Sequence, residues 1–302
     1  RHINLRFDQP GYLRVPLVSL ELLRTILSLP KGTELCLQYP VTKLLFKWHW
    51  LLKKRCVRLT TIVHDIESVR YTGKLSEEER EQLSCFDSII AHTPAMQELL
   101  ISSGISADRI RLLQLFDYLA TPPPPSPLNY QEGAPREVCF AGNLGKSLFL
   151  PELQQIVGAN LHVLLYGVGL SEEVELSDEL QFKGKFAPDD LTLLRGHYGL
   201  VWDGEAITTC TGRIGEYLKI NAPHKASLYI AAGIPLIVWR HSAIAPYVLE
   251  HQLGIAVDSL LELPERLASI DIAQYTRYRE AVQVEQMKIT QGLHLRNIIS
   301  AL

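Results

Sequence analysis

TGRIGEYLKINAPHKASLYIAAGIPLIVWR (residues 211–240) reads as a polar, glycine-punctuated loop, a short amphipathic helix, a turn and a buried strand. Pro223 suits the first helical turn, because its φ is already helical and its missing N–H has no intrahelical partner to lose. Asn221, two residues earlier, is the expected N-cap. Ala226, Leu228, Tyr229, Ile230 and Ala232 supply an apolar face, and Gly233 stands where a helix ends in a left-handed residue. PLIV (235–238) then has the uninterrupted apolar character of a strand covered on both sides.

His224 and Lys225 fall in the first turn of that helix, where free backbone N–H groups and the positive end of the dipole favour an anion. A lysine there opposes the dipole by about 0.3–1 kcal/mol. A bound phosphate or diphosphate would account for it, and so would a surface lysine whose stem lies along the helix.

Upstream, strand and helix alternate. ELCLQY (34–39) is a strand and 41–54 a helix with Leu44, Leu45, Trp48, Leu51 and Leu52 inward. VRLTTIV (57–63) is a strand opening into HDIESVRY (64–71). Ser76 caps a helix rich in acids, and strand 88–91, helix 94–102 and strand 110–115 follow. Residues 121–127, TPPPPSP, are a stiff linker. Beyond it come strands at 137–141, 161–166, 181–185 and 199–202, a helix from Pro188 to Leu194, a helix at 243–250, a strand at 255–257 and helices over 260–302. Two doubly wound α/β domains result, with ligands expected at the carboxyl ends of the strands, in the cleft between the sheets.

Composition restricts the chemistry. The 302 residues are 47% hydrophobic and 21% charged, with net charge −3, which gives no basis for nucleic-acid binding. Five scattered cysteines form neither a CxxC pair nor an even framework, so reduced thiols and a cytoplasmic setting are expected. No apolar run reaches the length of about 18 residues that spans a membrane. The chain opens without methionine, as a trimmed N-terminus would.

Several strand-end loops carry chemistry. GNLGKS (142–147) sets Lys146 beside Gly142 and Asn143, and can cradle an anion or simply turn the chain. It lacks P-loop spacing, and GVG (167–169) lacks the dinucleotide pattern. His64, Asp65 and Glu67 can supply a general base, or form a capped, solvated loop. Arg213, Glu216 and Lys219 make a charged loop ahead of the anion helix. The remaining histidines, His92 among them, lack metal-ligand spacing and read as core or surface residues.

IVHDIESVR, FAGNLGKS, GLVWDG, GEYLKINAPHKASLYIAAGIPLIVW and SAIAPYV, in that order, resemble a bacterial GT-B glycosyltransferase family. It includes β-1,6-galactofuranosyltransferases and the glucosyltransferases that extend adhesin glycans. The resemblance implies an acceptor-side Rossmann-like domain over 1–120, a linker at 121–135 and a nucleotide-sugar domain over 136–275. Helices at 276–302 would pack back on the first domain. It also implies a UDP-sugar donor and no other cofactor. The diphosphate would be held by Lys225, Lys146, Gly142 and Asn143, helped by Asn221, Pro223, His224, Ser227 and Arg213, with uridine near Tyr166 and Phe186. No DxD motif is present, so a metal-independent site is expected.

An inverting reaction would take Asp65 as base, with Glu67 second and His64 beside them. Family members begin with a further strand, loop and helix; this chain opens at RHINLRFDQPGYLRVP, so that portion is expected to be absent or shortened. The implied reaction is hexosyl transfer, galactofuranosyl before glucosyl, to a lipid- or protein-linked glycan, with no nucleic-acid partner. KWHWLLKKR (47–55) offers a peripheral contact with the inner membrane face, and the C-terminal helices offer a route to a homo-oligomer. Two rivals stay open: a non-catalytic nucleotide-sugar-binding subunit, and a sugar-nucleotide epimerase, against which the missing GxGxxG and the two-domain layout count.

Overall fold

A computed structural model describes residues 11–41, 43–124 and 130–302, with side chains from residue 19 except at position 44. Residues 125–127 of the proline linker and the opening residues 1–10 lie outside that set. Strands β1 (Glu34–Tyr39), β2 (Arg58–Val63), β3 (Ser88–Ala91) and β4 (Ile110–Leu112) pair in parallel, in chain order. Strands β5 (Arg136–Asn143), β6 (Leu161–Val168), β7 (Leu180–Gly184), β8 (Tyr198–Val201), β9 (Leu236–Trp239) and β10 (Gly254–Val257) form a second parallel sheet, ordered β10-β9-β8-β5-β6-β7. The order reverses between β5 and β8, which opens a crevice at their carboxyl ends.

Helices α1 (Gly11–Ser28), α2 (Lys43–Lys47), α3 (His49–Lys54), α4 (Glu67–Thr72), α5 (Glu77–Ser84) and α6 (Pro94–Ser102) surround the first sheet. Helices α7 (Gly212–Tyr217), α8 (His224–Ala231), α9 (Ala245–Glu250), α10 (Leu263–Ala268), α11 (Ile272–Thr290) and α12 (Leu293–Ser300) follow in the second half. The second sheet is covered on both faces, by Phe140, Trp202 and Trp239 on one side and Ala141, Tyr229 and Val238 on the other. Strands β8, β9 and β10 are therefore buried throughout, which explains their continuous apolar sequences. The last helix leaves the second domain, and Leu295 and Ile298 pack on Ile62, Ile90, Leu113 and Phe116 of the first. No helix among the described residues is long and apolar enough to cross a membrane.

Several expectations need correction. The helix expected over 41–54 is broken at Trp48, whose N–H bonds to Leu45 O at 3.0 Å in a tightened turn. The strand expected to reach Leu115 ends at Leu112, because Gln114 takes φ +74°. The helix expected from Pro188 is only a 3₁₀ turn, Leu191–Leu193, capped by Asp190. Helix α1 was missed altogether, although Leu22 and Ile26 are buried in the first core.

Candidate active site

Helix α8 begins one residue later than its sequence suggests. Pro223 is the N-cap, extended at ψ 140°, and not a first-turn residue. Asn221 does not cap it: the Asn221 Oδ1 atom is buried without a hydrogen-bond partner. What seats the helix is Tyr229. Its hydroxyl accepts from Ala141 N–H at 2.7 Å, and its ring lies where a Cβ on Gly199 would come within 2.2 Å. That contact ties α8 to β5 and β8, on either side of the crevice.

Lys225 projects from the first turn into the reversal point. Its Nζ donates to Asp203 Oδ1 at 2.6 Å and to Trp202 O at 3.3 Å, and stands 4.5 Å over the Phe140 ring. The bare Gly142 leaves room for it: a Cβ there would sit 3.4 Å from Lys225 Cε. Two of the three ammonium donors are committed, and the third remains for a ligand. The side chains of Lys225 and Asp203 are 18% and 20% exposed, so the pair is sheltered yet reachable.

The loops beside it are packed backbone on backbone. Gly142 and Gly167 are register partners, and a Cβ on Gly167 would lie 1.8 Å from Gly142 O. Gly145 and Gly169 meet in the same way. Asn143 and Lys146 are left exposed at the tip, Lys146 closing a 3₁₀ turn. Tyr166 is instead a core residue. It is buried, with its hydroxyl accepting from Arg195 N–H and its ring edge-on to Phe186; burial pushes its pKa up to about 12. Ser227 is also turned away from the crevice, its buried hydroxyl donating to Phe116 O at 2.7 Å. The Ser227 hydroxyl is thus bonded to the Phe116 carbonyl, and the Tyr166 hydroxyl to the Arg195 backbone.

His64, at the end of β2, faces His224 across the cleft, with His64 Nδ1 and His224 Nε2 sharing a hydrogen bond at 3.4 Å. Both rings stack on Phe116, at centroid distances of 4.9 and 4.3 Å. His92 lies against the same phenyl ring, fully buried. It accepts from Ala222 N–H through Nδ1 and donates to His64 O through Nε2, which fixes its neutral tautomer. Burial pushes the His92 pKa down to about 3, and burial also lowers His64 and His224. His224, read from sequence as a diphosphate neighbour, thus joins an aromatic cluster linking the domains. Ile66 N–H donating to Tyr217 OH, and Thr93 Oγ1 to Ile220 O, extend that seam.

Asp65 follows His64, its Oδ2 accepting from Arg70 Nη1 at 3.1 Å. Glu67 is exposed in the first turn of α4. The start of α4 is held by Glu79, which accepts from the N–H groups of Glu67 and Ser68 and from the hydroxyls of Ser68 and Tyr39. Arg213, at the start of α7, lines a cavity of about 290 Å³ between the domains together with Tyr71, Lys146 and Gly204. Sequence reasoning missed Asp203, Phe116 and Glu79. Asp203 had a signal, as the carboxylate ending GLVWDG at a strand terminus; the others are brought in only by tertiary contacts.

Two Rossmann-like parallel sheets, with Lys225 at the reversal point of the second, have the architecture of GT-B glycosyltransferases. Residues 18–115 match the N-terminal domain, and residues 138–302 the C-terminal domain, of the glucosyltransferase 3-like proteins; the chain belongs to that family. It is 29% identical over 311 residues to the β-1,6-galactofuranosyltransferase WbbI of Escherichia coli (strain K12), covering 97% of this chain and 88% of that protein. Among solved structures, Anabaena Alr3699/HepE in complex with UDP and glucose superposes with a TM-score of 0.60 at 15% identity, over 98% of this chain and 85% of that one. The UDP-GlcNAc 2-epimerase of Neisseria meningitidis gives 0.53 at 10% identity, over 98% and 84%. The two-domain layout therefore does not count against an epimerase, as the sequence reading held; family membership makes that separation.

Proposed function

We propose that the enzyme transfers a hexosyl group from a UDP-sugar to a glycan acceptor, by a metal-independent, inverting reaction in bacterial surface glycan synthesis. A galactofuranosyl donor is favoured by the likeness to WbbI, and a glucosyl donor is the second choice, from the family's name. The observation that carries the reading is Lys225, anchored to Asp203 at the point where the second sheet reverses. The diphosphate lies there, against the Lys225 ammonium, the first-turn N–H groups of α8 and the Gly142–Asn143 backbone, with Lys146 at its outer side. Phe186 and the end of β7 border the uridine.

In the transfer, the acceptor hydroxyl oxygen attacks the anomeric carbon from the face opposite UDP, and the bond to the diphosphate oxygen breaks. Asp65 takes the hydroxyl proton, its carboxylate held in place by Arg70, with Glu67, in the first turn of α4, as the alternative base. The negative charge arriving on the diphosphate meets cations and N–H groups already in position, so little reorganisation accompanies bond cleavage. His64 and His224, kept neutral by burial, close the cleft floor without adding charge.

UDP release is the test, measured with UDP-galactofuranose, UDP-galactopyranose and UDP-glucose, in EDTA and in magnesium. Release in EDTA from one of these donors, with the anomeric configuration inverted in the product, is expected. Release that requires magnesium, or retained configuration, would remove those parts of the proposal.

A further inference from the structure

We propose that Glu79 is a positioning residue for the transfer step: it fixes the first turn of α4, and through it the direction of the Asp65 carboxylate. The inference rests on the reading of Asp65 as base given above, and adds to it the group that aims that base.

Glu79 stands in α5, three residues after the N-cap Ser76, where Ser-x-x-Glu normally closes a capping box. Only half of the box forms. Ser76 Oγ accepts from Glu79 N–H at 3.2 Å, but Ser76 N–H donates to Ser68 Oγ at 2.9 Å instead of to Glu79. The Glu79 carboxylate is turned to another helix. Its Oε1 accepts from Glu67 N–H and from Tyr39 OH, both at 3.1 Å. Its Oε2 accepts from Ser68 N–H at 2.8 Å and from the Ser68 hydroxyl. Helix α4 depends on this, because its own N-cap is Ile66, whose buried hydrocarbon side chain cannot accept a hydrogen bond. A carboxylate at that end also meets the positive end of the helix dipole.

What the borrowed cap holds is the strand-to-helix turn that carries Asp65. Arg70 N–H donates to Ile66 O at 3.0 Å, one turn into α4, and the Arg70 guanidinium donates to Asp65 Oδ2 at 3.1 Å. Ile66 N–H donates to Tyr217 OH at 2.9 Å, and the same guanidinium lies 5.7 Å over the Tyr217 ring. Asp65 is thus aimed by a side chain of the helix that Glu79 caps, while none of the four bonds of Glu79 reaches Asp65 itself. Without the carboxylate, two first-turn N–H groups and two hydroxyls lose their acceptor. The start of α4 then loosens, and Arg70 no longer holds Asp65 in one direction.

A cycle of full-chain variants tests this: Glu79→Gln, Asp65→Asn and the two together. UDP release is read from UDP-galactofuranose, UDP-galactopyranose and UDP-glucose, with methyl α- and β-D-glucopyranoside and -galactopyranoside as acceptors, beside UDP titration. Glu79→Gln should lower kcat by about 10–10²-fold, the scale of a catalytic group misplaced by up to about an ångström, with donor KM and UDP affinity unchanged. In the Asp65→Asn background it should lower kcat no further, because the residue it positions is gone. Glu79→Asp, which keeps the charge at shorter reach, should recover part of the loss. Tyr39→Phe, which takes one donor from Glu79 and leaves the cap, should show the same pattern in smaller measure, and carries the test if Glu79→Gln does not fold. Wild-type kcat in Glu79→Gln, a parallel loss of UDP affinity, or a loss that adds in full to that of Asp65→Asn overturns the positioning role and leaves the transfer reading intact. Wild-type activity in Asp65→Asn overturns Asp65 as base and this role with it. A wild type that releases UDP from no donor overturns the glycosyl-transfer reading and both roles.

Discussion

Lys225 Nζ lies 2.6 Å from Asp203 Oδ1, joining the first turn of α8 to the residue that follows β8 and its buried Trp202. The pair spans the reversal in strand order, so the cation is held at the one place where this sheet opens a crevice. Asp203 does for Lys225 what rotamer packing does for a core residue, removing alternatives for a long flexible side chain.

Asp203→Asn should therefore lower kcat/KM. Loss of the anchor lets the ammonium wander, and misplacing a catalytic group by an ångström costs up to about 10²-fold. Asp203→Glu, which keeps the charge at altered reach, should fall between. Steady-state kinetics of both variants check this, and an Asp203→Asn enzyme as active as wild type would show that Lys225 needs no anchor.

The seat of α8 makes a second case. A Cβ on Gly199 would fall 2.2 Å from the Tyr229 ring, so Gly199→Ala must push the helix off the sheet. Overpacking of this kind costs about 1–3 kcal/mol, and here it should also weaken UDP binding, because Lys225 moves with the helix. Tyr229→Phe keeps the ring but leaves the Ala141 N–H buried without its acceptor, at about 1–3 kcal/mol. Urea denaturation gives both stabilities; UDP titration should separate them, with Gly199→Ala the more damaging.

The C-terminal return to the first domain carries a pH dependence. Both ring nitrogens of His294 face acceptors, Nδ1 toward Leu113 O at 3.3 Å and Nε2 toward Glu285 Oε1 at 2.7 Å, an arrangement that favours the protonated ring, in which both donate. Burial opposes that charge, but the hydrogen bond and the charge of Glu285 leave the His294 pKa raised. Burial likewise works against the Glu285 charge, yet His294, Lys288 and Tyr247 hold its pKa down at about 2. A raised histidine stabilises fully below its unfolded value of about 6.5, and that contribution is lost as pH rises through the folded value. The Tm advantage of wild type over His294→Gln should accordingly shrink from pH 6 to pH 8.5. A constant difference would mean that the charge on His294 does not matter.

His92 gives the opposite sign. Its folded pKa of about 3 is below the unfolded value, so the stability it lends is complete above about 6.5 and is lost as pH falls toward about 3. Each pH unit in that interval costs about 1.4 kcal/mol. His92→Asn, which can still donate to His64 O and accept from Ala222 N–H, should flatten the acid limb of a Tm–pH curve. An unchanged limb would move the acid sensitivity elsewhere.

How much of this could be read in the chain follows from sequence distance. The fold class was legible, because strand–helix alternation, the glycine stops and the family motifs are local signals. So were the crevice loops, since Gly142, Asn143 and Lys225 each stand at the end of a recognisable strand or at a helix start. Their mutual arrangement was not. His64 meets His224 across 160 positions, Ile66 meets Tyr217 across 151, and neither partner carries a mark of the other. Asn221 looked like a cap because asparagine usually is one before a helix; here Pro223 takes that place, and tertiary seating by Tyr229 replaces capping. Ser227 looked available on a helix face near the ligand, and only the position of Phe116 shows its hydroxyl to be taken.

The measurement that bears most directly on the central proposal is calorimetric titration of UDP, in EDTA, into the wild type and Lys225→Ala. Micromolar binding to the wild type is expected, weakened at least tenfold in the variant, together with a loss of about 10²–10³ in kcat/KM for the donor it uses. Equal UDP affinity in the two proteins would contradict the assignment of the diphosphate to the Lys225 crevice.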